Sequence, residues 1–204
     1  MSRVRTRPTR DDTREKLFEA AARVFEEQGI GGASIEAIAA AAGFTRGAFY
    51  SNFKSKDELI IGMLEAHVEQ SIRRNLDLLA RHKNLADFID ALKTMDRSQQ
   101  DPLGRSPLLH MEMILFVARA EKRRPELAKR LRARRKLITD IIETAAKNSG
   151  KSPPLNPIWT GAILLALEDG FRLHRLIDPE TTPADSCLRA IGDLQRAMAT
   201  ASGA

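Results

Sequence analysis

Thr45, Arg46, Gly47 and Tyr50 stand within a few residues of one another in the segment Ser34-Ile-Glu-Ala-Ile-Ala-Ala-Ala-Ala-Gly43-Phe-Thr-Arg-Gly-Ala-Phe-Tyr50-Ser-Asn-Phe53. Their apolar neighbours recur at helical spacing, which leaves these four, with Asn52, on the opposite, polar side of a short helix. A helix of this size fits the major groove of DNA and offers its N-terminal residues to base edges. No comparable grouping suggests bond-making chemistry. His67, His82, His110 and His174 are scattered, with no His-Glu-x-x-His pair, and Cys187 is the only cysteine. Glu168 and Asp169 are adjacent, so on a helix they diverge by about 100° and form no facing carboxylate pair. With no nucleophile elbow and no phosphate-binding glycine loop, the chain reads as a non-enzyme without cofactor or metal.

The elements that must hold that segment are legible around it. Leu17, Ala20, Ala21, Val24 and Phe25 follow the spacing of one buried helical face. Asp12 with Glu15 reads as its capping box and Gly29 as its end, giving a first helix from about Thr13 to Gln28. A second helix runs from Ser34 to Ala42 and a third from Thr45 to near Phe53. Ala39 suits the close crossing, Gly43 the turn, Phe44 the core, and Thr45 the cap of the third helix. Ser55 with Glu58 opens a long fourth helix, from about Lys56 to Arg81. Further helices read as 86–98, 108–123, 125–146, 158–177 and 183–200, separated by proline-containing breakers. The fold class is all-α, a three-helix helix-turn-helix head followed by a larger helical body. The expected boundaries are a flexible basic arm (1–12), a DNA-binding domain (13–55) and an effector-binding and dimerisation domain (56–204).

Composition agrees with that class. The 204 residues carry a formal net charge of +6 and a sequence pI of about 9.8, which favours polyanionic partners. Arg3, Arg5, Arg7 and Arg10 form an acid-free leader, read either as an unstructured tail or as an arm that adds DNA contacts. The apolar stretches are too short to span a bilayer, and the leader lacks the apolar core of a signal peptide. The expected location is the cytoplasm.

Residues 13–64 resemble the DNA-binding head of the TetR family of bacterial regulators. The likeness runs through Ala21 to Gly29, Ile38-Ala39, Ala42-Gly43, Gly47, Phe49-Tyr50, Phe53 and Ser55-Lys56-Asp57-Glu58-Leu59. It implies a phosphate contact for Tyr50 and another for Lys56, with Thr45, Arg46 and Gly47 facing the groove. Arg46 is the candidate guanine contact, because its donor fork matches paired acceptors. Ser34 and Asn52 complete the expected DNA-binding set, although many relatives carry histidine where this chain has Asn52.

The resemblance also implies a homodimer, a palindromic operator on double-stranded DNA, and a small-molecule effector whose identity the sequence does not give. Ile158 to Leu167 is apolar on nearly every side, as a helix covered twice must be. It reads either as the body's central core helix or as a dimer helix. On the second reading Ile158, Ala162, Leu165 and Ala166 pack with Leu188, Ile191 and Leu194 of the last helix. Met95, His110, Met111 and Phe116 are candidate effector contacts, as are Trp159, Phe171 and His174. The same side chains also suit plain core packing. The basic run from Lys122 to Lys136 reads either as a solvated face or as a patch for nucleic acid or a partner. The function expected is sequence-specific transcriptional regulation, the usual family mode being repression. The alternative is non-specific, architectural DNA binding driven by net charge.

Overall fold

The computed structural model describes residues 9–82, 85–94, 102–149 and 155–201. Every element among them is helical. In order they are α1 (Arg10–Gly32), α2 (Ile35–Ala41), α3 (Arg46–Tyr50), α4 (Lys56–Arg81) and α5 (Leu85–Thr94). After these come α6 (Pro102–Arg105), α7 (Pro107–Arg119), a 3₁₀ turn (Glu121–Arg123), α8 (Arg124–Ser149), α9 (Pro157–Ile177) and α10 (Ser186–Ala201). The chain forms two compact units. One holds described residues up to 67 together with 102–127, and the other holds the described parts of 68–94 and 128–201.

α1 begins earlier than its hydrophobic periodicity indicates. Thr9 is the N-cap, accepting from the Asp12 amide at 3.1 Å, while the Asp12 carboxylate accepts from the Thr9 amide at 2.9 Å. Asp12 therefore closes a capping box from its third position and is not the cap itself. Those bonds to Thr9 hold its carboxyl below the usual aspartate range. The far end matches expectation more closely. Gly29 has φ +71° and ψ 159°, a backbone region that only glycine enters cheaply, and the chain kinks there before a last turn. Ile30 beyond it is buried.

The first unit is built on one apolar cluster. Leu17, Ala21, Val24 and Phe25 of α1 meet Ile38 and Ala39 of α2, Phe49 of α3, Phe53, and Leu59, Ile60 and Leu64 of α4. Leu103, Leu109, Met113 and Val117 of α6 and α7 join the same cluster. An Arg105–Glu19 ion pair at 2.6 Å adds a polar link between α6 and α1. Pro102, Leu103 and Gly104, which read in sequence as part of a breaker from Asp101 to Gly104, lie in the single helical turn Pro102–Arg105, because proline's fixed φ suits a first helical position. His67 and His110, scattered in sequence, stack with ring centroids 4.6 Å apart, and both are buried. Among the described residues no group of three or more His, Cys, Asp or Glu is arranged to hold a metal.

In the second unit α9 packs on both α8 and α10. Gly161 is buried, and a Cβ there would lie 3.2 Å from the Arg135 carbonyl oxygen and 3.1 Å from Thr139 Oγ1. Leu165 lies a turn further on and is 3% exposed. Placed in sequence at the dimer interface, Leu165 is instead a core residue of its own chain. Ala162, Leu188 and Ile191 are half-buried, and Ile158, Ala166 and Leu194 are exposed. One turn beyond Leu165, Glu168 accepts from Arg134 of α8 at 2.7 Å and from Arg172 at 2.9 Å. Both arginine side chains are largely covered. The inward side of α9 thus changes from apolar to a charge-paired network along its length.

Asp169 beside that network is half-buried. Burial pushes its carboxyl up, Arg134 pulls it down, and Glu168 pushes it up again, with a net rise. The unfolded chain therefore loses this proton at lower pH than the folded one. The associated stability is complete below the ordinary aspartate value of 3.8 and declines as pH rises through the raised folded value. Asp169→Asn is expected to remove that decline, so denaturant melts of the variant gain on the parent from about pH 4 upward. Parallel pH profiles for the two proteins would contradict this.

Candidate nucleic-acid interface

The candidate face is assembled by caps and by one turn. Ser34 caps α2 through Oγ, which accepts from the Ala37 amide at 3.0 Å. Thr45 caps α3 in the same way on the Ala48 amide at 3.2 Å. Each cap contributes about 1 kcal/mol. Between them Gly43 takes φ +74°, its amide bonding to the Ala40 carbonyl while the Phe44 amide bonds to the Ala39 carbonyl. This paired closure needs the left-handed residue that glycine supplies. Phe44 then packs against the core, and the chain enters α3 with its N-terminus outward.

Only one short side of α3 is sunk in the unit. Phe49 is fully buried and its ring lies edge-on to Tyr50, with centroids 5.6 Å apart. Thr45, Arg46, Gly47 and Tyr50 remain exposed, Tyr50 at 44%. The structure therefore brings four of the sequence-selected residues onto one surface, with Ser34 exposed at the start of α2. The Ser34 and Thr45 oxygens are occupied as cap acceptors, which leaves each hydroxyl proton able to donate. A Cβ added at Gly47 would meet nothing beyond its own helix backbone closer than Thr45 Oγ1 at 3.7 Å, so a ligand can approach the helix there.

Two residues take different positions from those expected. Asn52 is buried, and its Nδ2 donates to the Ala48 carbonyl at 2.9 Å and to Ser51 Oγ at 3.3 Å. The helix ends at Tyr50, so the helical spacing that would carry Asn52 to the exposed side has already lapsed. Lys56 turns toward α1, where Nζ donates to the Ile30 carbonyl at 2.6 Å and to the Ala33 carbonyl at 2.9 Å. A cation at these carbonyls closes the C-terminal end of α1 and joins it to the start of α4. Ser55 caps α4 as expected, accepting from the Glu58 amide at 3.1 Å, but the Glu58 carboxylate accepts from Lys54 and not from Ser55.

The sequence reading missed one participant. Glu36, in the first turn of α2, places Oε1 2.8 Å from Arg46 Nη1. The Arg46 guanidinium also lies over the Tyr50 ring at 5.4 Å, with Nη2 at 3.5 Å from the hydroxyl. The Tyr50 hydroxyl first, and then the Glu36 carboxylate, hold the guanidinium above its ordinary value. Arg46 is thus oriented on both sides although the whole group is open to solvent. Only the crossing of α2 and α3 brings position 36 to position 46, and no short-range pattern announces it.

The other described candidates divide between the two units. His110 is 3% exposed within the first unit's core, with Met111 and Phe116 half-buried on the same helix. In the second unit Phe171 is half-buried, His174 exposed, and Trp159 68% exposed. Met95 and the arginines of positions 3–7 lie outside the described residues. Of the basic run, Arg134 points inward to Glu168 and Lys136 pairs with Asp140 at 2.7 Å. Lys129, Arg132 and Arg135 are exposed.

Comparison with known proteins finds two family models along the chain. Residues 17–63 match the family model described as bacterial regulatory proteins, tetR family. Residues 83–198 match one described as Tetracyclin repressor-like, C-terminal domain. An uncharacterised HTH-type transcriptional regulator of Bacillus subtilis, YfiR, is 26% identical over 84% of this chain and 83% of its own length. The HTH-type transcriptional regulator TtgR of Pseudomonas putida is 36% identical over a shorter stretch, 45% of this chain and 41% of its own length. Among solved structures, the transcriptional regulator FadR from Bacillus subtilis, in complex with stearoyl-CoA, superposes with a TM-score of 0.69. Its sequence identity is 15%, and the match covers 90% of this chain and 96% of that one.

The geometry separates three substitutions. Arg46→Ala is expected to relax preference at one base position by about 1–3 kcal/mol, whereas Tyr50→Phe weakens binding to all duplexes alike. Lys56→Ala is expected to lower the melting of the head as well, by about 1.5–3 kcal/mol, because two charge-assisted bonds are lost. Competition binding across single-base duplex variants, paired with thermal melts, checks all three. A Lys56→Ala variant with unchanged melting would contradict the stapling role.

Proposed function

Because the chain belongs to the TetR family of bacterial regulatory proteins, we propose that it is a cytoplasmic repressor that binds a palindromic operator as a homodimer. In this reading a small-molecule effector taken up by the helical body releases it from DNA. The observation that carries the DNA-binding part is the exposed side of α3, with Thr45, Arg46, Gly47 and Tyr50 on one surface and Phe49 locked beneath it. Arg46 reads a base edge and Tyr50 donates to the backbone, while Ser34 and Thr45 offer further donors.

The dimer reading rests on α9. Opposite the side that carries Gly161, Leu165 and Glu168, a second stripe presents Trp159, Ile163, Ala166, Leu173 and Ile177 to solvent, with Ile177 at 75% exposure. A contiguous apolar stripe of this kind calls for cover, and Leu194 of α10 is exposed as well. A second copy is the economical cover, because two heads on a twofold axis double the bases read. No helix among the described residues is long and apolar enough to cross a membrane. The effector part draws on the match of residues 83–198 and on a protein of the same fold that holds stearoyl-CoA.

Two measurements test this. Fragments selected from genomic DNA by the full chain are expected to outbind random duplex by roughly a thousandfold or more at physiological salt. Equal affinity for both would overturn the regulator reading in favour of charge-driven, architectural binding. Ile163→Glu combined with Leu173→Glu is expected to give a monomer by light scattering, with operator affinity reduced by roughly a hundredfold or more. A variant that stays dimeric would contradict the assignment of this stripe.

A further inference from the structure

The contact between Glu36 and Arg46 has a consequence for selectivity. An unpaired guanidinium on an exposed helix face would bind any phosphate, and a regulator must search past a great excess of non-specific sites. Here Nη1 is engaged by the Glu36 carboxylate at 2.8 Å, and Nη2 lies 3.5 Å from the Tyr50 hydroxyl. Both partners come from the same exposed surface, and the two charged side chains are more than half exposed. The pair therefore adds little to folding stability. What it does is fix where the fork points and set a negative charge beside it.

We propose that Glu36 is a specificity-determining residue, which admits the neutral edge of a guanine to Arg46 and disfavours phosphate there. The inference rests on the reading of α3 as the base-reading helix. Electrostatics separates the two ligands. A phosphate approaching Arg46 brings a second anion next to the Glu36 carboxylate, so attraction by the guanidinium is largely cancelled by repulsion. Guanine O6 and N7 are neutral acceptors, and they suit the side-on edge formed by Nε and Nη2, which the carboxylate on Nη1 leaves open; Nη2 carries two protons, and its long 3.5 Å contact to Tyr50 takes only one of them. Glu36 can thus keep its bond while a base is read, but not while a phosphate is bound. It is a discriminator that acts by repelling the wrong ligand.

The test is a two-by-two set of full-length proteins, parent, Glu36→Gln, Arg46→Ala and the double variant. Each is measured on a random-sequence duplex and on a genomic fragment selected by the parent. Glu36→Gln keeps the side chain's shape, and its melting curve checks that the head is folded. One unit charge a few ångströms away in water corresponds to about a fivefold change in affinity. Glu36→Gln is therefore expected to bind the random duplex about fivefold more tightly and to lose specificity by a similar factor. In the Arg46→Ala background the same substitution should change random-duplex affinity by less than about twofold, because the cation it masks is gone. An equal gain in both backgrounds would overturn the proposal and mark a bulk charge effect. So would a loss of operator affinity with random-duplex affinity unchanged, since Glu36 would then itself read a base. The random-duplex arms need no operator. If the parent showed no preference among sequences, the base-reading proposal would fall, and these arms would still decide the role of Glu36.

Discussion

A helix of five residues cannot hold itself together. Forming a helical turn fixes several backbone dihedrals for one hydrogen bond, so helices much shorter than about 12 residues are marginal alone. α3, Arg46–Tyr50, exists because Phe49 and the following Phe53 are buried against α1 and α4, where truncation of either ring would cost about 3–5 kcal/mol. That constraint orders the rest of the head. The turn at Gly43 sets the entry angle, Thr45 satisfies the first amides, and Asn52 folds back on the Ala48 carbonyl to finish the helix. Lys56 then ties the start of α4 to the end of α1, fixing the two walls against which the rings rest. So much local bonding for so short a helix leaves its outward side fixed in orientation and open in chemistry.

Much of this was legible in the residues. The spacing of Leu17, Ala21, Val24 and Phe25 marks the buried side of α1, and Gly43 followed by Phe44 and Thr45 marks a turn, a plug and a cap in succession. These signals are local, and local physics decides them. What stayed hidden depends on contacts between elements. Asp12 could be taken for a cap because Thr9, three residues earlier, sits among arginines that read as a leader. For Lys56 the family resemblance implies a phosphate contact, and nothing nearby in sequence shows that Nζ reaches the Ile30 and Ala33 carbonyls. Glu36 meets Arg46 only where α2 and α3 cross. His67 and His110 stand far apart in the chain and meet only when α4 and α7 pack.

The body shows the same limit differently. Residues 158–167 are apolar on nearly every side, but composition does not say which side is covered from within. The structure divides them. Gly161 and Leu165 face inward, as the core reading expects, while Trp159 and Ile163 face out. The inward side ends in the Arg134–Glu168–Arg172 network, where paired charges replace apolar packing. The outward side is the stripe on which the proposed second copy would sit. On the proposed reading a single α3 meets only a few bases, so discrimination would depend on the spacing of two copies as much as on Arg46.

The central claim, that two α3 helices read one operator at a spacing set by α9, is tested most directly by chemical footprinting of the full chain on a genomic fragment it selects. Two protected half-sites related by a twofold axis, with their major-groove contacts about 10 base pairs or a multiple of that apart, are the expected pattern. Protection that is continuous, lacks symmetry, or shifts from fragment to fragment would contradict it.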